Sequence, residues 1–215
     1  MRREPTPFGT AGYGLFHGDP SPLENLFYLR RSCRDFKKQS LPLSAVARLL
    51  YGAYGITGSA QLEGDQTMLT RTVPSAGGLY PLELYAVTND VDGIKDGLYH
   101  YDVLHHCLEW LPEGPRLEEM GSCLMAQYFL QNANVVLFFA AVFSRTLNKY
   151  GPRGYRYVLL EAGHCAQNIC LLVAEMNLAA LCVGGFHDSQ MNRMLGLDGR
   201  SEAVVYCLGI GHAAG

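Results

Sequence analysis

Three arginines and a serine lie within five residues near the start of the chain, in the segment Arg30-Arg31-Ser32-Cys33-Arg34. A guanidinium group presents a planar fork of N–H donors that matches the oxygens of a phosphate, and the serine adds a hydroxyl donor. If the preceding helix continues through the segment, Arg34 shares a face with Arg30 and Arg31. The segment therefore predicts a phosphate site. The alternative is a solvated basic helix end that complements the helix dipole.

Two further segments combine glycine with other small residues. The first, PSAGGLYP, runs from Pro74 to Pro81, and its prolines bracket small residues whose backbone N–H groups a flat ligand can approach closely. The second, VGGF, runs from Val183 to Phe186, and its paired glycines let main-chain donors reach the edge of a ring. Each segment taken alone also fits an ordinary tight turn or a flexible strand-to-helix connection.

Hydrophobic periodicity predicts the elements that position these segments. Helices are predicted over Pro22–Arg31, Leu43–Tyr54, Leu117–Gln127, Gly154–Met176 and Ser189–Leu195. Strands are predicted over Leu82–Thr88, Gly97–Asp102, His106–Leu111, Ala133–Phe143, Leu181–Val183 and Ala203–Leu208, and a polar loop over Gly55–Thr70. Helices and strands mix without a regular βαβ rhythm, which favours an α+β fold. We expect residues 1–20 to form an irregular arm and residues 21–215 to form a single domain.

The composition predicts a large subunit interface. Hydrophobic residues make up 48% of the 215 residues and charged residues only 17%, whereas about 25% is usual for a soluble domain. A small protein with so few charges must hide part of its surface, and obligate interfaces resemble a core cut in half. We therefore expect an obligate homodimer.

Charge and cysteine usage bear on partners and location. A net charge of −3 gives no basic surface for nucleic acid or an anionic membrane, and the longest apolar run, Val135 to Phe143, is too short to span a bilayer. The seven cysteines include no C-x-x-C pair and most lie in apolar runs, which favours buried thiols in a reducing compartment. The first residues have no apolar signal-peptide core, so we expect a cytoplasmic protein. No metal site is predicted, because neighbours in the run His105-His106-Cys107 would point to opposite faces of a strand.

In chain order, the strings RRSCRDF, PSAGGLYP and LCVGGF resemble the flavin-binding segments of the nitroreductase-like superfamily, over about 180 residues from Leu26 to Gly211. PSAGGLYPLELY, GLYHYD and KYGPRGYRYVLLEAGHCAQN are similar to its SagB/McbC-type branch, whose members oxidise thiazolines and oxazolines in ribosomally made peptides. The resemblance implies an α+β nitroreductase-like fold, in which helices flank a central, mostly antiparallel sheet. It also implies a homodimer with two FMN sites at the interface.

The resemblance also implies roles for individual residues. The FMN phosphate and ribityl chain would be held by Arg30, Arg31, Ser32 and Arg34. The flavin would be reached from the partner subunit by Pro74, Ser75, Ala76 and Gly78. The isoalloxazine ring would receive backbone contacts from Gly184 and Gly185, and the catalytic pair would be Lys149 and Tyr150. Many members close over the phosphate with basic residues of a C-terminal extension, a role that we expect Arg30, Arg31 and Arg34, or His212, to fill here.

The pair Lys149-Tyr150 suits the aromatisation of an azoline, which sends a hydride to flavin N5 and releases a proton from the adjacent carbon. A lysine serves as the base if desolvation or a nearby cation lowers its pKa from about 10.4 towards neutrality. Tyr150 would relay the proton or orient the ring. The alternative is that Lys149 is a solvated loop residue beside a helix start.

Three functions remain open at this point. The first is azoline dehydrogenation with O₂ as the final oxidant, in which a cyclodehydratase complex is a candidate partner. The second is an NAD(P)H-dependent nitroreductase or quinone reductase, in which the nucleotide would bind over the flavin because the chain has no GxGxxG fingerprint. Ordinary nitroreductases commonly carry Asn where this chain has Gly78. The third is a non-catalytic FMN-binding subunit of a peptide-modifying complex.

Glu161 and His164 share a helix face and are expected to form buried hydrogen bonds.

Overall fold

The computed structural model describes residues 18–61, 67–125 and 127–214. Most of the predicted N-terminal arm lies outside the described residues, and its last three residues, 18–20, adopt neither helix nor strand. The helices are α1 (Pro22–Leu29), α2 (Leu43–Tyr54), α3 (Gln127–Leu130), α4 (Phe143–Tyr150), α5 (Gly154–Glu175) and α6 (Asp188–Met194). The strands are β1 (Phe36–Lys37), β2 (Leu41–Pro42), β3 (Ile56–Gln61), β4 (Thr67–Arg71), β5 (Leu82–Thr88), β6 (Val91–Asp92), β7 (Gly97–Asp102), β8 (Cys107–Leu111), β9 (Val135–Val142), β10 (Ala179–Val183) and β11 (Glu202–Ala213).

The main sheet has seven strands, and each of its pairings is antiparallel. The strand β11 pairs with β1, β10 and β9, and the sheet continues from β9 through β5 and β7 to β8. Two small sheets, β2 with β6 and β3 with β4, lie outside it. The predicted α+β fold, with helices flanking a mostly antiparallel sheet, is confirmed.

The strand β9 shows why the sheet has a core on both faces. Its sequence VVLFFAAV is almost continuously apolar, and successive side chains of a strand point to opposite faces. Leu137 and Phe139 accordingly belong to one buried cluster, which includes residues of α2 and α5, while Val136 and Phe138 belong to a second cluster on the other face. A strand covered on both faces needs this uninterrupted apolar pattern.

The long helix α5 packs against α2 and the sheet. Its buried residues recur at helical spacing and include Val158, Ala162, Ala166, Ile169 and Val173. The run from Phe143 to Glu175 is long and apolar enough to cross a membrane by length and composition alone, and 44% of its most apolar window is buried within the protein. The burial and its position against the sheet identify α5 as a core helix.

Several predicted boundaries are wrong. The first helix ends at Leu29 instead of Arg31, because the chain leaves helical geometry at Arg30 to run beside β10. The predicted polar loop 55–70 is largely the hairpin of β3 and β4, which is held partly by polar pairs such as Gln61 with Thr67. The predicted helix Leu117–Gln127 is a 3-10 helix over Leu117–Ser122, and α3 follows it. The predicted strand Ala133–Phe143 ends at Val142, where α4 begins.

Candidate active site

The arginine segment follows α1 and is fixed by the sheet. The Arg30 N–H caps the helix by donating to the Leu26 carbonyl, and a ψ of 121° at Arg30 turns the chain into an extended course. Ser32 forms an isolated parallel bridge with Ala180, and the Cys33 N–H donates to the Ala180 carbonyl (2.9 Å). The three arginines therefore lie on an extended segment beside β10, and the expected shared helix face does not form.

The arginine segment is rich in positive charge that no described carboxylate neutralises. In residues 18–61, 67–125 and 127–214, none of Arg30, Arg31 and Arg34 forms an ion pair. Arg31 Nη1 donates only to the Arg30 carbonyl (2.8 Å). Residues from Leu29 to Cys33 line a cavity of about 320 Å³ together with residues of α5 and β10. The cavity combines donors with excess positive charge, which suits an anionic group.

The Gly184-Gly185 pair directly follows β10, the strand that the arginine segment contacts. A Cβ atom added at Gly184 would lie 3.7 Å from Tyr206, and one at Gly185 would lie 3.6 Å from Met125. Both are ordinary contact distances, so the described residues leave room for side chains at both positions. Gly184 lies four positions after Ala180, the residue beside Ser32, which at the rise of a strand is roughly 13 Å. The arginine segment and the glycine pair thus lie beside the same strand.

The segment Pro74–Pro81 turns sharply between β4 and β5. Gly77 and Gly78 have φ values of +65° and +66°, a left-handed geometry that glycine adopts without strain. The Tyr80 N–H donates to Ser75 Oγ (2.9 Å), and the Gly78 N–H donates to the Ser75 carbonyl (3.1 Å). These bonds close the turn on itself. The segment therefore presents its two glycines at a fixed position.

The predicted catalytic pair lies directly against this turn. A Cβ atom added at Gly77 would come within 2.6 Å of Tyr150 Oη and 2.8 Å of Lys149 Nζ. Both side chains project from the last turn of α4, and Lys149 Nζ lies 5.5 Å from the centre of the Tyr150 ring. The Tyr150 ring in turn packs edge-on against Tyr157 at 5.0 Å. The end of α4 and the turn at Gly77, which are far apart in sequence, thus meet. Gly78 and Arg30, by contrast, line two different cavities.

A buried polar cluster beneath the turn was only partly anticipated. Glu161 on α5 is 2% exposed, and Tyr54 Oη on α2 donates to its Oε1 (2.5 Å). The buried hydrogen bonding predicted for Glu161 is confirmed, whereas the same prediction for His164 is wrong, because His164 lies exposed on α5. No sequence pattern indicated that Tyr54 and Arg71 belong to the same cluster, since a lone aromatic at a helix end and a lone arginine are common in any domain. The Arg71 guanidinium lies 4.1 Å from the Tyr54 ring centre and 4.8 Å from that of Tyr80.

A second polar group borders the turn on its outer side. His100 bridges Glu83 (3.0 Å) and Glu109 (2.9 Å), and Arg145 donates to Glu83 (2.5 Å) and to the Tyr80 carbonyl (3.2 Å). The hydrogen bond with Glu83 is the main cause that raises the pKa of His100 to about 9. Burial opposes ionisation of Glu83, but its bonds with His100 and Arg145 dominate and lower its pKa. Glu83, His100 and Arg145 line a cavity of about 480 Å³ that also reaches Gly78 and Tyr80.

The fold and these segments define an oxidoreductase class. The chain belongs to the nitroreductase family, whose model matches residues 29–212. MJ1384, a candidate nitroreductase of Methanocaldococcus jannaschii, is 35% identical over 80% of this chain and 83% of its own length. The microcin B17-processing protein McbC of Escherichia coli is 26% identical over 78% of this chain, which spans 61% of McbC.

One solved structure extends the comparison. A chain of the E. coli microcin synthetase McbBCD complex, determined with truncated pro-MccB17 bound, matches 98% of this chain and 77% of its own with a TM-score of 0.77 and 24% identity. The TM-score of 0.77 establishes a shared fold. Together with the McbC relationship, it confirms the resemblance to the McbC branch of the family.

Proposed function

We propose that this protein is an FMN-dependent dehydrogenase that oxidises a thiazoline or oxazoline carried by a peptide. The proposal depends above all on the contact of Lys149 and Tyr150 with Gly77. This contact brings a candidate proton acceptor beside the turn that is expected to face a flavin. The relationship to McbC, a peptide-processing protein, supports a peptide-borne substrate.

The residues present fit FMN. Its phosphate would meet Arg30, Arg31 and Arg34, whose charges no described carboxylate neutralises, and its ring would approach the backbone at Gly184 and Gly185. The described residues leave room for a Cβ atom at both glycines, so their small size is best explained by the close approach of a ligand. When bound, FMN supplies the two-electron acceptor for the hydride that leaves the azoline.

The proton that leaves the azoline requires a base, and Lys149 is our candidate. Lys149 is exposed on the last turn of α4, within reach of a substrate that covers Gly77. A substrate or partner subunit that covers the amine would remove water and favour its neutral, proton-accepting form. Tyr150, half-buried between Gly77 and Tyr157, would orient the ring or relay the proton.

We further propose a homodimer in which the segment Pro74–Gly78 reaches the FMN of the partner. None of the eight residues of α1, all of them described, is buried, although the helix carries Leu23, Phe27 and Leu29. On the neighbouring α5, Leu160 is 58% exposed. Apolar side chains exposed on two helices in contact are typical of a surface that another subunit covers.

We propose a cyclodehydratase complex as the partner of this protein. A cytoplasmic location remains a prediction. An azoline arises by cyclodehydration of a cysteine or serine in the precursor peptide, so an enzyme of that class must act before this one. The structural likeness to a chain of the McbBCD complex supports such an assembly.

The deciding experiment measures flavin content and azoline oxidation in the purified protein. We expect about one FMN per chain and turnover of a synthetic azoline peptide, with Lys149→Ala keeping FMN but losing about 10²–10⁴ in turnover, the usual contribution of a positioned base. Lys95→Ala is the matched control, because Lys95 is also exposed and its Nζ lies 5.9 Å from an aromatic ring centre, that of Trp110. Wild-type turnover in Lys149→Ala would remove the assignment of the base.

A nitroreductase or quinone reductase is the second candidate, favoured by the 35% identity to MJ1384. Rapid reduction of the bound flavin by NADPH, with no oxidation of an azoline, would establish this alternative. FMN binding with neither reaction would instead support a non-catalytic subunit.

A further inference from the structure

The cluster around Glu161 places a carboxyl group in the core, where its burial costs free energy of folding. Glu161 and Tyr54 are 2% and 1% exposed, at a position where α5 faces α2 and β5. A buried carboxyl group loses its hydration, and an apolar side chain of similar size would often be equally or more stabilising. Burial accordingly raises the pKa of Glu161, while the nearby Ser75 hydroxyl, the bond with Tyr54 and the charge of Arg71 act in the opposite direction.

We propose that Glu161 is a positioning residue that fixes both ends of the segment Ser75–Pro81 and thereby holds Lys149 and Tyr150 at their working positions. The proposal rests on the catalytic role proposed above for Lys149 and Tyr150.

One anchor lies at the C-terminal end of the segment. Tyr54 Oη donates to Glu161 Oε1 (2.5 Å) and accepts from the N–H of Leu82 (3.1 Å), the residue that follows Pro81. Burial raises the pKa of Tyr54, so its hydroxyl keeps the proton that it donates. Without Glu161, the Tyr54 hydroxyl would lose its acceptor and its fixed orientation towards Leu82.

The other anchor lies at Ser75. The Ser75 hydroxyl accepts from the Tyr80 N–H (2.9 Å), which closes the turn, and it lies close enough to Glu161 to lower the pKa of the carboxyl group. Glu161 Oε2 is buried, and no described residue meets full hydrogen-bond geometry with it. Ser75 is therefore the natural second partner of Glu161.

Arg71 joins the two anchors from the side. Its guanidinium lies against the rings of both Tyr54 and Tyr80, and its backbone N–H donates to Tyr80 Oη (3.0 Å). Tyr80 itself adopts a φ of +44°, which an L-residue holds only when its surroundings require it. The segment thus has fixed ends and a fixed tyrosine. Gly77, between them, forms the surface against which Lys149 and Tyr150 lie.

The test compares four single variants of the protein and the double variant Glu161→Ala/Tyr54→Phe. Glu161→Ala removes both anchors, Tyr54→Phe removes the hydroxyl but keeps the ring beside Arg71, and Glu161→Gln keeps an acceptor for Tyr54 and offers a donor to Ser75. Glu175→Ala is the matched control, since Glu175 lies on the same helix in an exposed ion pair with Arg48. Azoline turnover and amide hydrogen exchange at Tyr80 and Leu82 are measured for each.

We expect Glu161→Ala and Tyr54→Phe to lower kcat by about tenfold to a hundredfold, as misplacement of catalytic groups by about 1 Å does, with little change in KM. The Tyr80 and Leu82 amides should exchange faster in Glu161→Ala, and the double variant should lose little more than either single one. Glu161→Gln and Glu175→Ala should resemble the wild type. If Glu161→Ala does not fold, Tyr54→Phe and Glu161→Gln still decide the matter.

Two results would overturn the proposal: wild-type kcat in Tyr54→Phe, or a loss in Glu161→Gln as large as that in Glu161→Ala. The exchange measurement is independent of the reaction. If the wild-type protein oxidises no azoline, the proposed function fails, whereas unchanged Leu82 exchange in Glu161→Ala and Tyr54→Phe would refute the anchoring itself.

Discussion

Replacement of Gly77 by alanine separates backbone strain from displacement of the proposed catalytic pair, Lys149 and Tyr150. Gly77 has a φ of +65°, and an alanine Cβ would lie 2.6 Å from Tyr150 Oη and 2.8 Å from Lys149 Nζ. Gly93 provides the matched control, because its φ is +86° and an added Cβ would have no neighbour within 4 Å. The two substitutions share the strain of a left-handed L-residue, and only one of them disturbs Lys149 and Tyr150.

The expected magnitudes follow from the geometry. The left-handed conformation costs an L-residue about 1–2 kcal/mol, so both variants should melt a few degrees below the wild type. For ordinary contact, Nζ must retreat from 2.8 Å, and Oη from 2.6 Å, to at least 3.4 Å. Nζ ends a flexible, exposed side chain, and a small χ1 rotation of Tyr150 moves its Oη, so this movement adds little to the loss of stability. A misplacement approaching 1 Å nevertheless costs roughly a hundredfold in rate.

The assay combines thermal melting, FMN content and azoline turnover for Gly77→Ala and Gly93→Ala. We expect similar melting temperatures and FMN contents in the two variants, with turnover reduced by about tenfold to a hundredfold in Gly77→Ala alone. Equal turnover in the two variants would refute the reasoning, because it would mean that the contact of Gly77 with the pair has no catalytic consequence.

Three further predictions concern the cofactor, the interface and pH. Arg31→Ala and Arg34→Ala should each weaken FMN binding by about tenfold to a hundredfold, because each removes a phosphate contact of about 1.5–3 kcal/mol. The control Arg48→Ala should leave FMN binding unchanged. Equal affinities in all three variants, measured by fluorescence titration, would exclude a phosphate role for Arg31 and Arg34. Light scattering should give about twice 23.7 kDa for the wild type and a smaller mass for Leu160→Lys; a wild-type monomer that binds FMN would contradict the shared site. The folded pKa of His100, about 9, exceeds its ordinary 6.5, so its stabilising effect is complete below 6.5 and is lost as the pH rises through 9. Over that range, the free energy of unfolding should fall less steeply with pH in His100→Gln than in the wild type. Equal slopes in the two proteins, measured by denaturant titration at several pH values, would mean that other groups cause the fall.

Elements with a clear period were predicted accurately. The bounds of α2, β5 and β7 coincide with the prediction, and α5 ends one residue early. The apolar residues of α2 and α5 recur at helical spacing towards one cluster, whereas those of β5 and β7 fill the clusters on both faces of the sheet. The helix α4 was missed because Phe143, its first residue, also completes the apolar run of β9. The hairpin of β3 and β4 was missed because its side chains are mostly polar and none of its described residues is buried.

The site was predictable in its parts but not in its arrangement. Lys149 and Gly77 could each be singled out by resemblance, but the sequence does not predict their contact. They meet because β9, which leads into α4, pairs with β5, which follows the turn at Gly77. The cluster of Glu161, Tyr54 and Arg71 draws on three remote segments, each with one unremarkable polar residue. No local pattern encodes such a meeting, because it depends on tertiary packing alone.

The pairing of β1, which follows the arginine segment, with β11 has a consequence for the order of folding. Phe36 pairs with Ala213, and the Ala214 N–H donates to the Asp35 carbonyl, so residues 177 positions apart must meet before this part of the chain is fixed. Closing so long a loop is entropically slow and comes late in folding. On the ribosome, Arg30 to Arg34 emerge well before β11 and must wait for it. Uptake of the proposed FMN should therefore be a late event of maturation, and quenching of its fluorescence would report selectively the chains in which β11 has paired with β1.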